Sequence, residues 1–196
     1  VTRVLSRSAK RLAFEAIPVV DIDPLFRFDR RAAEQVATGI DKACRETGFM
    51  YVRNHRVPRA VIECAYTQAE RFFALPLDYK LKVHYKKAQN HVRGYVPLLQ
   101  THSDRTVEAD NHDAFELSLE LPADDLDYLN GNPMYGPNQW PEGLPGFREG
   151  IYRLYEAMLE FGPLLFRAFA IALDLPHDYF APLITKPMGQ LRVIHY

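Results

Sequence analysis

Phe115-Glu116-Leu117-Ser118-Leu119-Glu120-Leu121 alternates apolar and polar side chains without a break. Successive side chains on a strand point to opposite faces, so this period of two predicts a strand over 114–121 with one buried face. Such a strand needs partners. Gly94-Tyr95-Val96-Pro97-Leu98-Leu99 reads as one, and Gln190-Leu191-Arg192-Val193-Ile194-His195-Tyr196 as another. Shorter β-branched runs at 17–22 and 49–52 predict two more strands near the start of the chain, with Pro18 suited to a strand end or edge.

Between the strands the apolar period lengthens to that of a helix. Over 30–47, Val36, Ile40, Ala43 and Cys44 share a face, and Gly48 follows as a stop. Over 58–74, Val61, Ile62, Ala65, Ala69, Phe72 and Phe73 do the same, with Pro58 in the first turn. The longest helix is predicted over 145–173, with a bend at Gly162-Pro163. Short helices are expected at 76–83 and 177–183, and residues 1–15 read as an irregular arm. The proline- and glycine-rich stretch 124–146 reads as a loop, and a loop of that length is expected to be functional or packed down. The mixture is α+β.

The 196 residues are 47% apolar and 25% charged, enough for one domain with an ordinary core. The net charge of -1 and a pI near 6.7 give no basic face for nucleic acid or a membrane surface. Arg3, Arg7, Lys10 and Arg11 are not followed by a long apolar run, so no export signal or membrane span is readable, and a cytoplasmic location is expected. Cys44 and Cys64 lack metal or redox spacing and read as partly buried free thiols.

Few residues point to chemistry by themselves. His102-Ser103-Asp104 has an H-x-D spacing that a strand would place on one face. An Fe(II) facial triad needs a second histidine, which is lacking at a suitable distance, so this polar stretch reads as a solvated loop. Asp113 and Glu116 fall on opposite faces of a strand, so with His112 they read as a surface strand edge rather than an acid–base pair. The chain has no nucleophile elbow and no phosphate loop. The aromatics at helical spacing, such as Phe72, Phe73, Phe161, Phe166 and Phe169, read as core.

Several segments, in order, resemble one family. Ile17-Pro18-Val19-Val20-Asp21 is similar to the opening strand of isopenicillin N synthase-like dioxygenases. Gly48-Phe49-Met50-Tyr51-Val52-Arg53-Asn54-His55 resembles their GFFYVxNHGVP element, and Glu70–Pro76 with Lys80-Leu81-Lys82 their FFALPxEEKLK helix end. Gly94-Tyr95-Val96-Pro97 resembles their GYxP strand, and Phe115-Glu116-Leu117 with Leu121-Pro122 the one after it. Gly136-Pro137-Asn138-Gln139-Trp140-Pro141 and Leu144-Pro145-Gly146-Phe147-Arg148 carry the most specific likeness, to a GPNxWP…LPGFR signature. Leu191–Tyr196 resembles the LRLLHYP strand that enters the catalytic jelly roll.

The resemblance implies a double-stranded β-helix (jelly-roll, cupin-like) oxygenase fold, of which residues 1–196 form the N-terminal helical and mixed region. The catalytic core would come after 196, as would the iron ligands and the pair that holds 2-oxoglutarate. Leu191–Tyr196, an apolar strand with no partner after it, gives the same expectation of continuation. The implied activity is that of a non-haem iron(II) oxygenase acting on a small organic substrate with O2, with Fe(II) as cofactor and 2-oxoglutarate as cosubstrate. Some relatives take all electrons from the substrate, so the subclass stays open. The resemblance places no catalytic or metal-binding residue within this chain. It implies substrate or cosubstrate binding for Arg93, Tyr95 and Tyr196. Where the family has glycine after Asn-His, this chain has Arg56, and a backbone needing positive φ there would resist it. The alternative is a non-catalytic binding or scaffold protein with the front half alone.

Overall fold

The computed structural model describes residues 16–27, 29–88, 93–98, 111–122, 124–132 and 134–196. His102-Ser103-Asp104 and the residues of the N-terminal arm lie outside these. The chain divides into two compact units. The first runs to Arg56 and takes in Gly162–Leu183; the second comprises Val57–Phe161 and Ile184–Tyr196.

In the first unit, β1 (Val19–Asp21) and β2 (Tyr51–Arg53) are parallel, with Val20 opposite Val52. A parallel pair needs a crossover, and α1 (Arg30–Glu46) supplies it. Asp29 caps α1 by accepting from the Ala32 amide at 3.2 Å. Gly48, at φ +87°, closes the helix end as its amide donates to Ala43 O at 3.0 Å. Val36, Ala37, Ile40 and Ala43 form the buried stripe. Cys44 lies just outside it and is exposed, as is Cys64, which corrects the expectation of partly buried thiols.

Arg56 has a φ of 59°, so the position does require the left-handed region that the family glycine supplies. Arginine is held there by contacts. Its guanidinium donates to Asp23 Oδ1 at 2.8 and 3.2 Å and lies 4.3 Å over the Phe26 ring.

The second unit begins with α2 (Arg59–Phe73) and the short α3 (Leu77–Lys80). Strands β3 (Gly94–Val96) and β4 (Asp113–Ser118) follow, then the one-turn α4 (Leu126–Leu129) and α5 (Phe147–Ala172). The part of α5 from Gly162 onward belongs to the first unit. The helix runs unbroken through Gly162 and Pro163. Strand β5 (Gln190–His195) completes an antiparallel sheet of order β3-β4-β5. Tyr95 faces Phe115, which faces Val193; Gly94 faces Glu116, which faces Arg192.

One face of this sheet packs on α2 and α5. Phe72, Phe115 and Phe147 meet with ring centroids 4.9–5.1 Å apart. Tyr95, Leu117, Ile151 and Tyr155 extend the same core. Burial of such aromatic side chains away from water is the main stabilising term here.

Candidate functional site

The loop with the most specific sequence signature is packed down across the sheet. Gly136 forms a bridge with Glu120 just beyond β4, whose pairing with β5 ends at Ser118 opposite Gln190 and does not run on to Leu121. Asn138 accepts from the Ser118 amide at 3.0 Å and donates to Ser118 O at 2.8 Å. Gln139 donates to Arg93 O at 2.7 Å and His84 O at 3.2 Å. Trp140 Nε1 and Arg148 Nη2 both donate to the Glu120 carboxylate at 3.0 Å. Side-chain amides thus replace a strand's backbone partners along this strap.

Arg93 belongs to the same construction. It is 1% exposed, and it donates to Asn138 Oδ1 at 2.6 Å, Met134 O at 2.8 Å and Leu119 O at 3.2 Å. Burial pushes its pKa down, but a guanidinium stays charged in proteins. Tyr95 is also buried, on the core face, and its hydroxyl donates to Asp113 Oδ2 at 2.9 Å. Burial, with Asp113 beside it, pushes the Tyr95 phenol well up.

Asp113 is the hub of that end of the core face. Lys80 Nζ lies 3.2 Å from Oδ2 and also donates to Phe73 O at 3.1 Å. His195 Nδ1 lies 2.8 Å from Oδ1, its ring stacked on Phe73 at 4.9 Å. An ionised carboxylate only accepts, so His195 carries its proton on Nδ1. Burial alone would raise Asp113, but hydrogen bonds from His195, Tyr95 and Lys80 outweigh it and hold the carboxyl below its ordinary range.

The other face of the sheet has a different character. Its middle row is apolar: Val96, Ala114 and Ile194. Polar side chains flank that row. Glu116 Oε1 meets Arg192 Nε at 3.0 Å, and Glu116 Oε2 lies 3.4 Å from Gln190 Nε2. Arg192 Nη2 reaches His112 Nε2 at 3.0 Å. Arginine only donates, so this His112 nitrogen is the acceptor of the pair. The His112 ring contacts the Tyr196 ring at 5.6 Å. Burial raises the Glu116 pKa, with Arg192 opposing. Tyr196 is 88% exposed.

Sequence parity put Asp113 and Glu116 on opposite faces, and they are. The surface-edge reading of His112, Asp113 and Glu116 does not hold. Strand β4 is central, paired on both sides, and all three side chains are buried, because Lys80 and Arg192 bring compensating charge to one face each. Arg192 and Lys80 were missed in the sequence. Arg192 was legible as the one cation in the β5 run; Lys80 stands in the quoted Lys80-Leu81-Lys82 segment, but nothing local marks it as a partner of Asp113.

Among the described residues, no group of three or more His, Cys, Asp or Glu could hold a metal ion. The donor set does not fit Fe(II): Asp113 is committed to three partners, and Glu116 and His112 face a guanidinium. Through His112, Arg192 and Tyr196 lie on the same face of the sheet. The first unit has a separate cleft of about 820 Å³ between α1 and residues 164–177. Its charges are mixed and partly paired internally, as in Arg30 with Glu34. No helix among the described residues is long and apolar enough to cross a membrane.

Residues 17–143 match the family model described as non-haem dioxygenase in morphine synthesis N-terminal. The 2-oxoglutarate-Fe(II) type oxidoreductase hxnY of Emericella nidulans is 30% identical over 188 residues, covering 94% of this chain and 54% of that protein. Isopenicillin N synthase of Amycolatopsis lactamdurans is 31% identical over 186 residues, covering 92% and 55%. A crystal structure of a 2OG-Fe(II) oxygenase family protein from Caulobacter crescentus superposes with a TM-score of 0.74 at 26% identity, covering 92% of this chain and 56% of that one. The chain spans just over half the length of each.

Proposed function

We propose a function from one premise: the chain belongs to the isopenicillin N synthase-like family of non-haem Fe(II) oxygenases. The whole protein is a 2-oxoglutarate-dependent oxygenase acting on a small organic substrate. It converts substrate, O2 and 2-oxoglutarate to hydroxylated substrate, succinate and CO2. The observation that carries this reading is the family match over residues 17–143. The cosubstrate assignment is supported by the oxidoreductase similar to this chain along almost all its length. Fe(II) would be held by residues other than those described.

This chain's part is to build one wall of the binding site. The second face of the β3-β4-β5 sheet supplies it, with an apolar floor and polar flanks. Tyr196 contacts the bound organic acid. Arg93 and Tyr95 act from behind: Arg93 fixes the strap, and Tyr95 fixes Asp113 at the end of the central strand. Preorganised walls of this kind orient a substrate and exclude water.

The test is turnover by the full-length protein, supplied with Fe(II), O2 and 2-oxoglutarate. Succinate and CO2 should form in equal amounts, faster when the substrate is present. Protein that binds iron yet never consumes 2-oxoglutarate would overturn the cosubstrate assignment. Protein that binds no iron would favour the scaffold alternative.

A further inference from the structure

We propose that Asp113 and His195 are positioning residues for Tyr196: their bond on the core face of the sheet holds β5 so that Tyr196 is delivered to the opposite face. This rests on the proposed contact between Tyr196 and the organic acid.

Asp113 faces His195 in the β4–β5 register, and Tyr196 follows directly. Two cross-strand contacts meet at this point, one on each face. On the core face, His195 Nδ1 lies 2.8 Å from Asp113 Oδ1. On the second face, the rings of His112 and Tyr196 have centroids 5.6 Å apart. Two consecutive residues of one strand thus meet two consecutive residues of the other. Successive side chains point to opposite faces, so pinning His195 to the core face commits Tyr196 to the other. A slip of one residue would exchange those faces.

The post to which His195 is tied does not belong to β5. Asp113 also accepts from Tyr95 on β3 and from Lys80 on α3, and Lys80 donates in turn to Phe73 O at the end of α2. A carboxylate held from those elements stays in place when β5 shifts. The His195 ring is stacked on the Phe73 ring at 4.9 Å, with the planes 9° apart. The two contacts have different tasks. Stacking fixes the plane of the ring but lets it slide. The hydrogen bond, directional and strengthened by the Asp113 charge, fixes where along the strand the ring stops.

The test separates these two tasks. Full-length protein, with Tyr196 replaced by 3-fluorotyrosine and Zn(II) in place of Fe(II), is followed by fluorine NMR during titration with 2-oxoglutarate and with benzoate. His195→Phe keeps a ring for the Phe73 stack and removes the donor. His195→Asn keeps a donor at the place of Nδ1 and removes the ring. His195→Phe should move or split the wild-type resonance and weaken the acid that perturbs it about fivefold, whereas His195→Asn should bind that acid within about twofold of wild type and keep a single resonance. An unmoved resonance with unchanged affinity in His195→Phe overturns the proposal. Equal damage in both variants also overturns it, because the effect then belongs to the ring and not to the bond with Asp113. A wild-type resonance that responds to neither acid overturns the Tyr196 contact itself, and the proposal with it. The failures are told apart because the first two leave the wild-type response to acid intact.

Discussion

Lys80 Nζ lies 3.2 Å from Asp113 Oδ2, and the two side chains are only 10% and 9% exposed. This is an ion pair inside the core, and removing one member strands the other. Asp113→Ala leaves a buried ammonium and the Tyr95 hydroxyl without their shared acceptor. Urea unfolding should show a loss of about 3–5 kcal/mol. The double replacement Lys80→Met with Asp113→Leu should recover most of that loss, because neither charge is then stranded. A double variant no more stable than Asp113→Ala would sink this account.

Gly94 is required by geometry. Its φ is +106°, and an added Cβ would lie 2.3 Å from Val83 O and 2.7 Å from Gln139 Nε2. Backbone cannot give way as a flexible side chain can. Gly94→Ala should therefore lower stability by about 2 kcal/mol or more. Thermal unfolding of the full-length variant reads this directly, and a change within error would contradict the close approach.

The sequence made the elements legible wherever one rule governed a segment. Alternation at Phe115–Leu121 found β4, and the stripe Val36, Ile40, Ala43 found α1. It over-extended β4, because the alternation continues to Leu121 while the pairing with β5 stops at Ser118 opposite Gln190. Polar residues were harder. Alternation shows which face Asp113 and Glu116 occupy, but burial depends on Lys80 and Arg192, 33 and 76 positions away (113 − 80 and 192 − 116). No local pattern carries that pairing. The resemblance drew attention to Arg93 and Tyr95 as binding residues, whereas the surrounding strap and core decide what their polar atoms reach.

Arg93 should behave as part of the scaffold. Its replacement by methionine takes the charged donor from Met134 O and Leu119 O and leaves Asn138 Oδ1 with the Ser118 amide alone. The expected loss is about 3 kcal/mol or more, since several buried acceptors lose a charged donor at once. The KM for 2-oxoglutarate should stay near the wild-type value in whatever folded protein remains. A raised KM with unaltered stability would return Arg93 to ligand contact.

Arg56 tests strain against contact. It sits at φ 59°, where a Cβ is unfavourable, and is held by Asp23 and the Phe26 ring. Arg56→Ala keeps the strain and loses the contacts. Arg56→Gly loses the contacts but relieves the strain. The glycine variant should therefore be the more stable of the two by about 1 kcal/mol in chemical unfolding. An alanine variant at least as stable as the glycine variant would mean that the backbone relaxes when the guanidinium is gone.

Glu116 gives a pH dependence of opposite sign to Asp113. Burial raises the Glu116 pKa from its ordinary 4.5, with Arg192 opposing. A folded pKa above the unfolded one means that the folded state holds the proton more tightly. The stability from this group is full below the ordinary value and is lost as pH rises through the folded value. Asp113 is lowered instead, so its contribution is present above its ordinary 3.8 and is lost as pH falls below that. Glu116→Gln cannot ionise and escapes the loss on the alkaline side. Its stability relative to wild type should climb as pH rises above the ordinary carboxylate value of 4.5 and through the raised folded value. Urea unfolding of both proteins across that range checks the slope. A difference that stays constant, or that falls with pH, would show that Arg192 stabilises the Glu116 carboxylate more than burial disfavours it.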